Sequence, residues 1–138
     1  MRAEYTAFKG RLADSPLLVG KVDTAVRVTN DGSAVRANYV IAFPSVGALD
    51  DERFTAPQTT DSKRAFSNDV RVVAVDADGL LLLAEAVQSQ MVGHVLSVAG
   101  RTCTPMRLDL DSDTVGYDKT ARLFCIDMTF EFESMRTG

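Results

Sequence analysis

The sequence contains no tryptophan, one histidine, two cysteines and four prolines in 138 residues. Several classes of function close on those scarcities. The lone histidine, His94, has no G-x-S-x-G serine and no paired cysteine motif to work with, so it reads as structural or exposed. Cys103 and Cys125 fit neither a metal knuckle nor a disulfide framework. They read as two free, partly buried thiols of a reducing compartment. No apolar run approaches the ~18 residues of a membrane span, and the longest, Leu80–Ala84, stops at Glu85. No apolar core follows Met-Arg-Ala-Glu-Tyr, so no secretory leader is expected. Neither of the glycine-rich phosphate loops is present.

Positive charge is also sparse. Fifteen Lys+Arg against nineteen Asp+Glu give a net charge of -4, and Lys63–Arg64 is the only adjacent basic pair. A surface that seeks nucleic acid is normally basic, because phosphate neutralisation supplies most non-specific affinity. The acid is concentrated at Asp50, Asp51 and Glu52, at Asp109, Asp111 and Asp113, and at Glu131 and Glu133. Two readings stay open, solvated loops and edges or a surface that should not hold DNA. The run from Asp109 to Asp113 looks like a calcium loop but fails it. The sharp-turn glycine position holds Thr114 and the bidentate glutamate position holds Thr120. Paired carboxylates do acid–base work only with a raised pKa in a cleft, and nothing in the sequence shows one. No catalytic, cofactor-binding or metal-ligating residue is therefore expected, and no enzyme.

What is present is a globular balance, 46% hydrophobic and 25% charged, which excludes disorder. The length suits one domain over 1–138, because single cores usually hold about 100–150 residues. Residues 2–14 predict a helix with Tyr5, Phe8 and Leu12 on one face, ended by Ser15-Pro16. Lys21–Val28 alternates as a half-buried strand, with Val22, Thr24, Val26 and Val28 on one face. The turn Thr29–Ser33 joins it to a second strand at 36–44, which predicts a hairpin. Residues 45–63 form a long polar arm whose apolar anchor is Phe54. A connection this long is usually a binding loop or else disordered. Ala65–Val75 predicts a central strand, apolar on both faces near its end.

Asp78 is the expected N-cap of the main helix, Leu80–Val92, which Gly93 stops. Strands are expected at 95–99 and 106–110, then a polar loop at 111–120. The closing strand, 121–134, has the clearest pattern. Phe124, Ile126, Met128, Phe130 and Phe132 alternate against a face that ends in Glu131 and Glu133. The fold class is α+β: a mainly antiparallel β-sheet with one main helix packed on it, plus a short N-terminal helix.

Three segments carry a family likeness. They are the strand Tyr39–Pro44 followed by the polar arm, the strand Asp69–Val75 running into the acidic-glycine start of a helix, and the closing alternating strand Leu123–Glu133. In order and pattern the chain resembles the tail terminator (tail completion) proteins of long-tailed bacteriophages. Its first helix is shorter than is usual there. The resemblance implies a virion protein assembled in the host cytoplasm, which forms a homo-hexameric ring on the head-proximal end of the tail tube. Such a ring stops tube polymerisation and joins the tail to the head–neck connector. Its partners would be itself, the tail tube protein and the connector protein, with DNA passing through the lumen without specific binding, no membrane and no cofactor. A charge of about -24 per ring of six suits that passage. Asp50, Asp51, Glu52, Phe54 and Pro57 are then interface candidates. Asp109, Asp111, Asp113, Glu131 and Glu133 are candidates for an acidic lumen or rim. The alternatives are a neighbouring neck or tail-tube component, or a non-viral α+β ligand-binding or regulatory module.

Overall fold

The computed structural model describes residues 1–49, 63–110 and 115–137, with only the backbone of Leu110. The first element is α1 (Arg2–Ala13), which buries Glu4, Phe8 and Leu12. Four strands follow, β1 (Val22–Asp23), β2 (Tyr39–Ala42), β3 (Ala48–Leu49) and β4 (Arg64–Ala74), then α2 (Ala77–Met91). The chain closes through β5 (Arg101–Cys103), β6 (Arg107–Leu110), β7 (Gly116–Asp118) and β8 (Leu123–Arg136). Among the described residues these strands make one sheet, ordered β1-β2-β4-β8-β5, with β3 on β4 and with β6 and β7 on β8. The α+β class and the single main helix stand as the sequence predicts.

The centre of the sheet is the antiparallel pair β4–β8, in register from Arg64↔Ser134 to Ala74↔Phe124. Period-two alternation sends Phe66, Val70, Val72, Met128, Phe130 and Phe132 to one face, where α1 and α2 cover them. Phe66 stacks on Phe132 with ring centroids 5.0 Å apart, and Phe8 of α1 reaches Phe130 at 6.0 Å. Phe124 is only partly buried, at the margin of this core. The helices are tied to each other by reciprocal bonds. Arg11 Nε donates to the Gln90 carbonyl at 2.9 Å, and Gln90 Nε2 donates to the Arg11 carbonyl at 2.7 Å. The opposite face carries a smaller cluster of Tyr39, Ile41, Val73 and Leu123.

Several sequence expectations are corrected. β1 is two residues long and pairs with β2 in parallel, Val22↔Val40, so strands one and two are not a hairpin. The alternation of Lys21–Val28 does not bury its valine face. After Asp23 the chain leaves the sheet and turns back on itself, with Val28 bridging Ala34. The helix N-cap is Asp76, not Asp78. Asp76 is extended, and its carboxylate accepts the Gly79 N–H at 2.6 Å, three residues on, as an N-cap must. Asp78 falls in the first turn, where its charge meets the positive end of the helix.

Residues 95–99 form no strand, because the backbone beside them is already engaged. Gly93 N–H donates to Met106 O, and Met106 N–H donates to His94 O. The segment instead plugs the core with Leu96 and Val98 and turns at once into β5. Part of the expected loop at 111–120 is strand β7, paired with β8. Of the arm expected at 45–63, Ala48–Leu49 is strand β3 on β4, and residues 50–62 lie outside the described residues.

Candidate assembly interface

Among the described residues three surfaces of the protein stand out. The first is the outer face of β4, β6 and β8. Register places Arg71 opposite Asp127, and the guanidinium donates two bonds to the carboxylate, at 2.7 and 3.2 Å. Those bonds favour the protonated guanidinium and raise its pKa, while partial burial acts the other way. Thr129 donates to Asp69 at 2.8 Å in the neighbouring pair. Further along, Arg107 meets Glu131 at 3.4 Å and Lys63 meets Glu133 at 3.0 Å.

The carboxylates Glu131 and Glu133 therefore share one face as the alternation predicts, but each sits beside a cation. A rim made by these two is charge-balanced rather than simply acidic. Such half-exposed pairs contribute about 0–1 kcal/mol each, so they define a pattern more than they stabilise the fold. Asp109 lies opposite Thr129 on the same face. A groove of ≈ 660 Å³ runs along this side, lined by Ser67, Thr104, Pro105, Arg107, Glu131 and Glu133. Asp111, Asp113, Asp50, Asp51, Glu52, Phe54 and Pro57 lie outside the described residues.

The second surface is a β-ribbon after β1, which sequence reasoning placed inside the sheet. Its turn is held by Asp31, which accepts from the Thr29 hydroxyl and from the Ser33 N–H; these bonds hold its carboxyl down to about 2. The Val35 N–H donates to the Arg27 carbonyl at 3.1 Å, and Val28 opposes Ala34. Ala34 is half-buried and packs on the outer cluster of Tyr39, Ile41, Val73 and Leu123, while Arg36 is exposed. Val26 and Val28 remain 46% and 59% exposed. The ribbon leans on the outer side of the sheet. Arg27 lies 4.8 Å over the Tyr39 ring and its N–H donates to the Tyr39 hydroxyl, with its side chain on Asp23.

The third surface is the solvent side of α2, on the other face of the sheet. Leu81 and Leu82 are 53% and 52% exposed beside Glu85. The signal for it was available in the sequence. Four successive leucines, Leu80–Leu83, cannot all face the sheet when the helix turns about 100° per residue. Leu80 and Leu83 do, and the middle two point away.

Among the described residues no group of three His, Cys, Asp or Glu side chains is placed to hold a metal ion. Among them too, no helix is long and apolar enough to cross a membrane. Cys103 is buried and Cys125 half-buried, both as free thiols. His94 is exposed.

The fold itself has known counterparts. The chain shares it with one chain of the virion of a native gene transfer agent (GTA) particle. The match has a TM-score of 0.71 at 20% identity and covers 96% of this chain and 95% of that one. A second solved structure matches with a TM-score of 0.61 at 13% identity, over 99% of this chain and 94% of that one. No family model and no curated protein matches the sequence. The likeness is thus one of overall architecture, over nearly the whole of both chains.

Proposed function

We propose that this protein is a structural component of a phage-like virion, and specifically a tail terminator. It would form a ring on the head-proximal end of the tail tube, stop tube growth and join the tail to the head–neck connector. The observation that carries the reading is the whole-chain fold match to a chain of a virion particle. The net charge of -4 supports it, because a lumen that passes DNA must not grip it. Exposed apolar side chains on the ribbon and on α2 are available for contacts with other subunits. In this reading the protein is not an enzyme and needs no cofactor. Residues 50–62, with Phe54 and Pro57, are proposed as a contact to the ring neighbour or the tube end.

Negative-stain imaging of the purified protein, alone and with tail tubes, tests the reading. A closed ring of six that caps tubes at one end is the expected result. Long tubes made from this protein alone would overturn it in favour of a tube subunit. A strict monomer at every concentration, with no ring in assembled particles, would overturn the virion reading. Particles lacking residues 49–59 should carry tails of abnormal length or unjoined tails. Normal infectious particles from that deletion would remove the segment from the interface.

A further inference from the structure

We infer that neighbouring subunits join by a head-to-tail contact in which the 26–36 ribbon of one copy packs on the α2 face of the next. The inference rests on the ring reading above and assigns its interface. The two surfaces match in chemistry. The ribbon offers exposed Val26 and Val28 with the cation Arg36, whose guanidinium donates to the Arg122 carbonyl at 3.3 Å. The helix face offers Leu81 and Leu82 with the anion Glu85, and Asp78 one turn earlier. Among the described residues, neither Arg36 nor Glu85 has an oppositely charged partner within its own chain. Among the described residues, each surface thus pairs exposed aliphatic groups with charge of one sign, cationic on the ribbon and anionic on the helix.

Placement points the same way. The ribbon rests on the outer side of the sheet, through Arg27 on Tyr39, and Tyr39 belongs to the outer cluster. Helix α2 covers the inner side, where Leu80, Leu83 and Val87 enter the main core. The two patches therefore lie on opposite sides of one sheet. A two-fold dimer needs a single self-complementary patch, whereas two different patches on opposite sides make a heterologous contact. Such a contact builds a ring when its rotation closes, as the ring reading requires. Self-pairing of either patch would bring like charges together, Arg36 on Arg36 or Glu85 on Glu85, which opposes it.

The test uses two full-length variants, Val28→Glu and Leu82→Glu. Both positions are more than half exposed, so each variant should fold, and circular dichroism checks that it does. Each variant keeps one intact patch. Alone, each should lose the ring and run as a monomer by mass photometry. Mixed, they should form a complex of two chains and no larger species, because the intact ribbon of the Leu82→Glu chain meets the intact helix of the Val28→Glu chain. Arg36→Glu with Glu85→Arg should likewise each weaken the ring, and combining them in one chain should restore it. Rings that persist in the single variants, or a mixture that stays monomeric while the unaltered protein forms rings, would overturn the contact and leave the ring reading standing. An unaltered protein that never forms rings would overturn both.

Discussion

Glu4 and Ser134 lie 130 residues apart in the chain and meet at 3.0 Å, the Ser134 hydroxyl donating to a carboxylate only 2% exposed. Arg101 completes the knot. Its Nε donates to the Ser134 hydroxyl at 2.7 Å and lies 3.3 Å from the same Glu4 oxygen, and a second nitrogen donates to the Ser134 carbonyl at 2.8 Å. This polar cluster pins α1 to β5 and β8 at the point where the three elements converge. Its charge is tolerated in a covered place because the carboxylate meets the Ser134 hydroxyl, the Met1 amine and Arg101.

Glu4→Ala should therefore destabilise, by about 1–3 kcal/mol, because it removes the buried acceptor of the Ser134 hydroxyl. Burial raises the Glu4 pKa, but hydrogen bonds from the Met1 amine, its own backbone N–H and Ser134 outweigh that and hold it below its ordinary 4.5. A group whose folded pKa is depressed stabilises above the unfolded value and loses that contribution as pH falls through the folded one. Urea unfolding near neutral pH and at about pH 3 should show a larger acid loss for the unaltered protein than for Glu4→Gln. Equal losses would remove Glu4 as the source of the acid sensitivity.

Phe130 is fully buried between the ring of Phe8 and the centre of the sheet. Phe130→Ala should cost about 3–5 kcal/mol, combining lost transfer free energy with a cavity that the paired strands cannot collapse. Thermal or denaturant unfolding measures it, and a cost under about 1 kcal/mol would contradict the assigned strand face.

Gly47 has a φ of +73°, and a Cβ there would come within 2.9 Å of the Phe66 ring. Phe66 in turn is stacked on Phe132 and has little room to retreat. Gly47→Ala should destabilise by about 1–2 kcal/mol from backbone strain alone, with the ring contact in addition. A neutral result in equilibrium unfolding would show that the turn before β3 readily relaxes.

Asn68 lies on the inner face of β4, 1% exposed, and its carboxamide finds no hydrogen-bond partner among the described residues. An unmet buried amide costs about 1–3 kcal/mol, and an apolar side chain of similar shape removes that cost. Asn68→Leu should leave stability unchanged or raise the melting temperature. A marked loss would mean that the amide has a partner the described residues do not include.

Cys103 should be the slower of the two thiols to alkylate. It is buried, and burial raises its pKa, which a bond from Ser134 only partly offsets. The nearby Glu4 carboxylate pushes the same way as burial, so little thiolate forms. Timed iodoacetamide labelling with mass spectrometry should modify Cys125 first, and the reverse order would contradict the packing of β5.

Two-residue alternation by itself determined the central strands. Val70, Val72, Met128, Phe130 and Phe132 read directly as the covered face, because a strand's faces are fixed by sequence parity alone. The helices were legible for the same local reason, apolar spacing bounded by Ser15-Pro16 and by Gly93. What alternation could not supply was a partner. Lys21–Val28 has strand character, yet only Val22 and Asp23 pair with β2, and the chain then turns back on itself with Val28 bridging Ala34. Whether an alternating segment is buried depends on what the rest of the chain lays beside it, and among the described residues Val26 and Val28 stay about half exposed.

The charges divide in the same way. Glu131 and Glu133 were recognisable on one face from parity, but their neutralisation by Arg107 and Lys63 depends on a register set across separate strands. The Glu4–Arg101–Ser134 knot, joining positions near both ends of the chain, left no local signature. Sequence fixes which groups a short stretch can offer to a face. Only tertiary structure decides which distant groups come within bonding distance, because that depends on long-range packing rather than on the periodicity of any one segment.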